Sequence, residues 1–575
     1  MRQRQPVHSD YLANEKGTHK KKWKGLLPVA LIFPNGYALG NANLGFQLVY
    51  DLVNVLPDVV CERFFYDPSG PPLSLESGRP LRDFPVILCS VSFEPDYINL
   101  LSILLSGGIE PLAERRCARP SAYRAGQPLI IGGGVATFIN PEPLAPFMDL
   151  FVVGEAEPVL GQLVAYLSEN IHAVASGALL GDIVASFPGC YAPCFYKMRY
   201  GVGARLDGID VSPGIPERVR RLTLKEVEVA GHSRLISSET EFANMYLAEL
   251  GRGCSRGCRF CAAGFVYRPP RLWSAESILA ALEKRPAEIS RIGLLGMEMA
   301  KAEDLKRISD YLSSEGCALS FSSLRADAIS SELCALLARS NLKSAAIAPD
   351  GGSERLRAVI NKGIKEDDVM LAAEALVRAG VTHLKLYFMI GLPTESDEDI
   401  DELLSLVDKV RINLLAVGRA KGRLSNITLS VNSFVPKAWT PFQFHPFAKV
   451  SLLKDRIKRL RKGLSGMANI RLKADQPAIA LQQAVLARGD RRVGLALHAM
   501  LARQMSWQQA MREQGINAEE VALRQRDRDE LFCWEVIDHG IERGYLWTEY
   551  EKALHGKSTI ACNPANCKRC GVCID

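Results

Sequence analysis

Residues 244–261 read NMYLAELGRGCSRGCRFC, a short apolar strand that runs straight into three cysteines. Cys254, Cys258 and Cys261 stand at C-x3-C-x2-C spacing, on a loop where Gly251, Gly253 and Gly257 let the backbone fold closely. Thiolates are the soft ligands that iron–sulfur clusters take. Three of them can hold three irons of a 4Fe–4S cube and leave the fourth open to a small molecule. Arg252, Arg256 and Arg259 offset the negative charge of such a centre. A structural zinc site asks for a fourth protein ligand, and no further thiol or histidine lies nearby in sequence.

Downstream, apolar runs alternate with helical segments: RIGLLG (291–296), ALSFSSL (318–324), SAAIAP (344–349), LKLYFMIG (384–391) and ITLSVNSF (427–434). With the strand at 244–250 that makes six in roughly 200 residues, short of the about 250 that a full eightfold barrel needs. The expectation is a partial (β/α)6 TIM-type barrel over 243–445. Upstream, PVALIF (28–33), VVCERFF (59–65), VILCSVS (86–92), PLIIGGG (128–134) and LFVVGEAE (150–157) alternate with helices over 44–56 and 96–107. Apolar strands of that kind predict an α/β fold, a Rossmann-like open parallel sheet over 25–195. Its strand-end turns, Pro34-Asn35-Gly36, Gly132-Gly133-Gly134 and Gly154-Glu155, fall on the crevice side, where they either admit a flat cofactor or serve as tight turns.

Residues 196–242 read as a linker arm, and 446–558 as a helical, basic C-terminal region that includes RIKRLRKGL (456–464). The first 24 residues end in KKKWK (20–24) and read as a disordered basic tail. The last segment, 559–575, is a short Cys-rich tail. Cys562, Cys567, Cys570 and Cys573 stand at C-x4-C-x2-C-x2-C, enough thiols to satisfy one metal centre, either a 4Fe–4S cluster or zinc.

At 575 residues the chain exceeds one hydrophobic core. The N-terminus lacks an export signal, and no apolar run is long enough to span a membrane, so a cytoplasmic location is expected. In that reducing setting, the fifteen cysteines favour metal or redox work over disulfides. The net charge of +6 is small for this length and singles out no nucleic-acid partner.

The triad, with Phe260 before its last cysteine, resembles the radical S-adenosylmethionine (SAM) superfamily. That resemblance implies a 4Fe–4S cluster whose open iron holds the methionine end of SAM. It also implies an electron donor such as flavodoxin or ferredoxin, and a 5′-deoxyadenosyl radical as product of SAM cleavage. Further segments follow in the family's order. Gly296-Met297-Glu298 stands where the family has Gly-Gly-Glu, contacting the SAM amino group, with Met297 as a departure. Ser322, Ser323 and Arg325 close the third strand, where hydroxyl and cationic groups reach ribose or carboxylate. Asp350, Ser353 and Glu354 lie in a stretch similar to the Gly-Ser-Glu loop, and Gly391 and Pro393 in one similar to the Gly-Leu-Pro motif beside adenine. FVPKAWTPFQ (434–443) resembles the closing strand of one large, poorly characterised bacterial branch.

The N-terminal domain is similar to the cobalamin-binding module of many such enzymes. It departs from it in lacking Asp-x-His-x-x-Gly after the first strand, where the chain reads FPNGYALGNANLG (33–45). The implied activity is radical chemistry on an unidentified substrate, with cobalamin-dependent methyl transfer if the corrin binds. An RNA or protein methylthiotransferase is the rival among enzymes, and an iron–sulfur sensor or scaffold the rival outside them.

Overall fold

In the computed structural model, the structure describes residues 8–573 except 118–121, 299, 322–323, 330, 341, 421 and 423. The N-terminal sheet contains β1 (Leu27–Phe33), β2 (Val59–Phe65), β3 (Val86–Ser90), β4 (Leu129–Gly133), β5 (Leu150–Val152) and β6 (Cys190–Tyr191). Their order is β2-β1-β3-β4-β5-β6; the first five are parallel and β6 is antiparallel to β5. Both faces are buried, one against Phe46, Tyr50, Leu160 and Leu163, the other against Tyr97, Leu101 and Phe147. That burial is why the strands read as unbroken apolar runs. The order reverses between β1 and β3, and ligand crevices in such sheets open at that point, beyond the strands' C-terminal ends.

The second parallel array begins with β7 (Met245–Glu249). A small antiparallel lip follows it, β8 (Gly251–Arg252) against β9 (Arg271–Leu272). Then come β10 (Arg291–Leu295), β11 (Ala318–Phe321), β12 (Ser344–Asp350), β13 (His383–Ile390), β14 (Asn426–Ser433) and β15 (Ile470–Ala474). The order is β7-β10-β11 in one sheet and β12-β13-β14-β15 in the next, joined by a parallel bridge from Leu324 to Ile347.

Two expectations are corrected here. The array has seven parallel strands rather than six, because β15 pairs in register with β14 inside the segment expected to be wholly helical. Residues 8–24 are not a loose tail. Glu15–Lys16 pairs with Ile236–Ser237, Tyr11 stacks on Tyr37, and Glu15 forms a fully buried ion pair with Arg63. Residues 1–7 of that segment lie outside the described residues.

The rest of 446–558 is mainly helical, with Pro477–Arg488, Arg491–Ala502 and Arg543–Leu554 packed into the same core as the second array. Among the described residues, no helix is long and apolar enough to cross a membrane.

Candidate functional site

The triad lies on the loop from β8 to the short helix Ala262–Val266, beyond the C-terminal end of β7. Gly253 has φ +84°, and a Cβ there would meet the Tyr267 carbonyl oxygen at 2.6 Å, so only glycine fits the turn into Cys254. Cys261 donates its N–H to the Cys258 carbonyl at 3.1 Å, which curls the second half of the loop.

The three thiols are half-buried. Burial raises the pKa of all three, that of Cys261 to about 12, while Lys362 and Arg325 act in the opposite direction on Cys258. Deprotonated sulfur at this place therefore needs a cationic partner, and a bound metal supplies one outright. Among the described residues, no three His, Cys, Asp or Glu side chains converge as a single ion would require. One zinc draws its thiolates to about 2.3 Å, whereas an iron–sulfur cluster is held by thiolates spread around a larger body.

Several residues singled out in the sequence meet at this loop. Glu298, just beyond β10, accepts from the Ser255 backbone N–H at 2.9 Å and its hydroxyl at 2.6 Å, one residue past Cys254. Arg325 lies 3.9 Å from the Cys258 sulfur, fixed by Asp327 at 2.9 and 3.0 Å and by the Lys362 carbonyl at 2.7 Å. Asp350 ends β12 with φ +63° and pairs with Lys362 at 2.6 Å; the Lys362 ammonium sits 5.9 Å from the Phe260 ring centre. Burial holds the Asp350 carboxyl above its usual range against the pull of Lys362. Gly296 lines a crevice next to the loop.

Others have local duties instead. Ser353 is buried, caps the helix Glu354–Val359 by accepting from Leu356 N–H, and donates to Asp399. Glu354 is exposed and receives the Glu366 N–H. Gly391 has φ +80° with Leu453 and Ala448 packed where a Cβ would go, and the adjoining Pro393 is buried. Ser322 lies outside the described residues.

The C-terminal tail comes back to this same loop. The Cys562 N–H donates to the Ser255 carbonyl at 2.7 Å, and Asn361 ties Thr559 to the Arg256 and Gly257 carbonyls. Cys570 is buried, Arg569 donates to the Cys567 sulfur at 3.3 Å, and Cys562 and Cys567 interact directly. Ser255 and Cys562, 307 residues apart in sequence, are thus joined by one hydrogen bond.

A crevice of about 420 Å³ opens between the N-terminal sheet and the triad loop, lined by Asn43, Ser92, Gly134, Glu155, Arg252 and Met297 among others. Glu155 and Arg271 lock the two sides together at 2.7 and 2.9 Å. Of the glycines at the sheet's edge, Gly134 and Gly154 have positive φ and the Val91 and Leu222 backbones where a Cβ would go, so both serve tight turns. A Cβ on Gly133 would meet only the Cys89 carbonyl oxygen, at 4.0 Å. His232 also lines the crevice, held by the Ala230 carbonyl and Arg234. A lone histidine in an irregular arm carries no pattern by which sequence alone could single it out.

Residues 248–407 match the model for the radical SAM superfamily, and residues 45–193 the model for the N-terminal region of radical SAM proteins. The chain belongs to the radical SAM superfamily. It is by that membership a radical SAM enzyme, and the family implies a 4Fe–4S cluster and SAM. An uncharacterized protein of Methanocaldococcus jannaschii is 28% identical over 468 residues, 80% of this chain and 88% of the relative. Among solved structures, the cobalamin-dependent SAM radical enzyme OxsB with aqua-cobalamin bound is similar at TM-score 0.45 and 14% identity, over 76% of this chain. This chain spans 62% of that OxsB chain. Coproporphyrinogen III oxidase of Escherichia coli, a radical SAM enzyme, matches 38% of this chain and 52% of its own at 14% identity and TM-score 0.29.

Proposed function

We propose that Cys254, Cys258 and Cys261 hold a 4Fe–4S cluster at which SAM is cleaved reductively to start radical chemistry on a substrate in the second parallel array. One observation carries the reading: three half-buried thiols share a strand-end loop with Glu298 bonded to it and Arg325 facing Cys258. When bound, such a cluster contributes the electron that opens SAM to methionine and a 5′-deoxyadenosyl radical. The chain's part is to place and enclose. Glu298 offers a carboxylate to the SAM ammonium, and Arg325 and Lys362 set positive charge beside the thiolates. We read the seven strands as an open barrel whose C-terminal ends gather these groups, and the N-terminal sheet as Rossmann-like.

The tail cysteines Cys562, Cys567, Cys570 and Cys573 are read as a second cluster in preference to zinc, since the first three share the C-x4-C-x2-C spacing of plant-type iron–sulfur proteins. Cobalamin is the second reading, favoured by the crevice between sheet edge and triad loop. With it, methyl transfer becomes the leading reaction.

The test is anaerobic reconstitution, reduction and addition of SAM. The expected products are 5′-deoxyadenosine and about eight irons per chain, about four at each site. An intact, reducible cluster that yields no 5′-deoxyadenosine would sink the reading of the triad as the place of SAM cleavage. Protein produced with cobalamin should carry the corrin's visible absorption, and colourless protein ends the second reading.

A further inference from the structure

Parallel sheets are ordinarily covered on both faces and read as continuous apolar runs. Strands β13 and β14 do not: they alternate. Leu384, Leu386, Phe388 and Ile390 of β13 and Ile427, Leu429 and Val431 of β14 are buried in the core. The opposite face carries His383, Lys385 and Tyr387, then Asn426, Thr428 and Ser430, and on β15 Arg471 and Lys473. These residues line an open chamber of about 470 Å³.

The register aligns them in rows. Lys385 pairs with Thr428 and Thr428 with Arg471; one row nearer the triad, Tyr387 pairs with Ser430 and Ser430 with Lys473. Neighbouring strands lie about 4.8 Å apart and rows of one face about 6.6 Å apart, so the backbones that carry the three cations are within roughly 12 Å of one another, a span that three long side chains can close on one anionic group. No Asp or Glu lines the chamber. Lys385, Arg471 and Lys473 are exposed to the opening, and among the described residues none of them has an ion pair. His383 is held by the Thr428 hydroxyl at 3.1 Å, and Tyr387 and Ser430 add hydroxyl groups that can donate to an oxyanion.

We propose that this chamber binds the anionic end of the substrate, a small molecule carrying a phosphate or clustered carboxylates. Lys385 lies five residues below the end of β13, about 16 Å at strand rise. An anion held there leaves the remainder of an elongated molecule pointing along the strands to where Asp350, Lys362 and Arg325 adjoin Cys258. The inference rests on the radical SAM reading only for what happens at that far end; the anion site stands on the chamber alone.

The experiment is calorimetric titration of the full chain, reconstituted with iron and sulfide, at low ionic strength. The probes are inorganic pyrophosphate, citrate and a ten-nucleotide single-stranded RNA. Pyrophosphate or citrate should bind, and the K385Q/R471Q/K473Q variant should lose at least tenfold in affinity while keeping the wild-type melting temperature. Single variant K473Q should lose less, and a surface control, Lys409→Gln, nothing. Which of the two small anions binds more tightly separates phosphate from carboxylate. The proposal is overturned if neither binds, if the triple variant binds them as the wild type does, or if RNA binds far more tightly and is the ligand that the variant loses. SAM cleavage is measured separately on the wild type, so its absence would count against the radical reading and leave the anion result standing.

Discussion

Arg259 sits between the second and third cysteines, fully buried, and reaches out of the loop to Glu549 on the helix Arg543–Leu554 at 3.1 and 3.2 Å. Its guanidinium also donates to the carbonyls of Ala358, Val359 and Lys557 and to the Thr559 hydroxyl. Glu549, 2% exposed, accepts in addition from Lys552 and Thr559. Burial raises its pKa, but Lys552, Thr559 and Arg259 outweigh that and keep the carboxyl ionised. Substituting Glu549→Gln leaves the shape and removes the charge.

Breaking a buried pair from one side costs about 3–5 kcal/mol. Arg259 retains its carbonyl acceptors in the variant, so the lower end, about 3 kcal/mol, is expected. At 1.4 kcal/mol per decade, local opening of the docked tail becomes about a hundredfold more frequent. Hydrogen exchange reads it directly, because the Thr559 and Cys562 amides bond to Asn361 and to the Ser255 carbonyl. Peptides covering 557–562 should exchange about two orders of magnitude faster, with strands β1 to β4 unchanged. The double variant R259M/E549L, which leaves no charge unpaired, should recover most of the protection. Unchanged exchange in E549Q would refute the idea that this pair pins the tail to the triad loop.

Replacing Glu298 by Gln removes the carboxylate that is hydrogen-bonded to Ser255 of the triad loop, and SAM affinity of reconstituted protein should fall by about 10–100-fold, as expected for a lost charge-assisted hydrogen bond; equilibrium dialysis measures it. Gly253→Ala forces a Cβ against the Tyr267 carbonyl at positive φ, a strain of about 1–3 kcal/mol, and should lower the iron retained per chain, measured against Gly466→Ala, where space is open. Burial raises the Glu155 pKa, yet hydrogen bonds and charge from Arg271 and Arg252 hold it below 4.5. Its contribution is therefore complete above that value and lost as pH falls through the lowered one. Thermal melts should show that loss below about pH 4, with E155Q flattening that limb; equal slopes in both proteins would refute the lock between sheet and lip.

Much of this architecture is legible in the sequence because apolar strands announce themselves. β1 to β5 and β7, β10 to β14 fall where their apolar runs do. β15 was missed for a physical reason: IRLKA alternates charge with short apolar residues and sits in a basic, helix-rich stretch, and its pairing with β14 is fixed by an edge that only the fold supplies. The triad was legible from spacing alone. Glu298, Arg325 and Asp350 followed from resemblance, and geometry brings each beside the cysteine loop. Ser353 and Glu354 came from the same resemblance, but the local chain already employs both, one as a helix cap and one as an acceptor for the next helix.

The two ends of the chain are where composition misleads most. Both are polar, and polarity reads as solvation. Yet Glu15 meets Arg63 with both side chains fully buried, and the tail's Thr559 closes over the Arg259–Glu549 pair. A buried charge is costly unless its partner arrives in one particular place, so pairs of this kind fix a docking position more sharply than an apolar contact, which tolerates sliding. Hydropathy cannot register them, since each is a single residue among polar neighbours. At the tail the consequence bears on chemistry: the residue between two cluster-type cysteines is anchored by the segment that carries four more. Any metal at the tail would therefore be held against the loop of the first site by the Cys562–Ser255 hydrogen bond and by Asn361, which bridges Thr559 to Arg256 and Gly257, and disturbance of either cysteine group should be felt at the other.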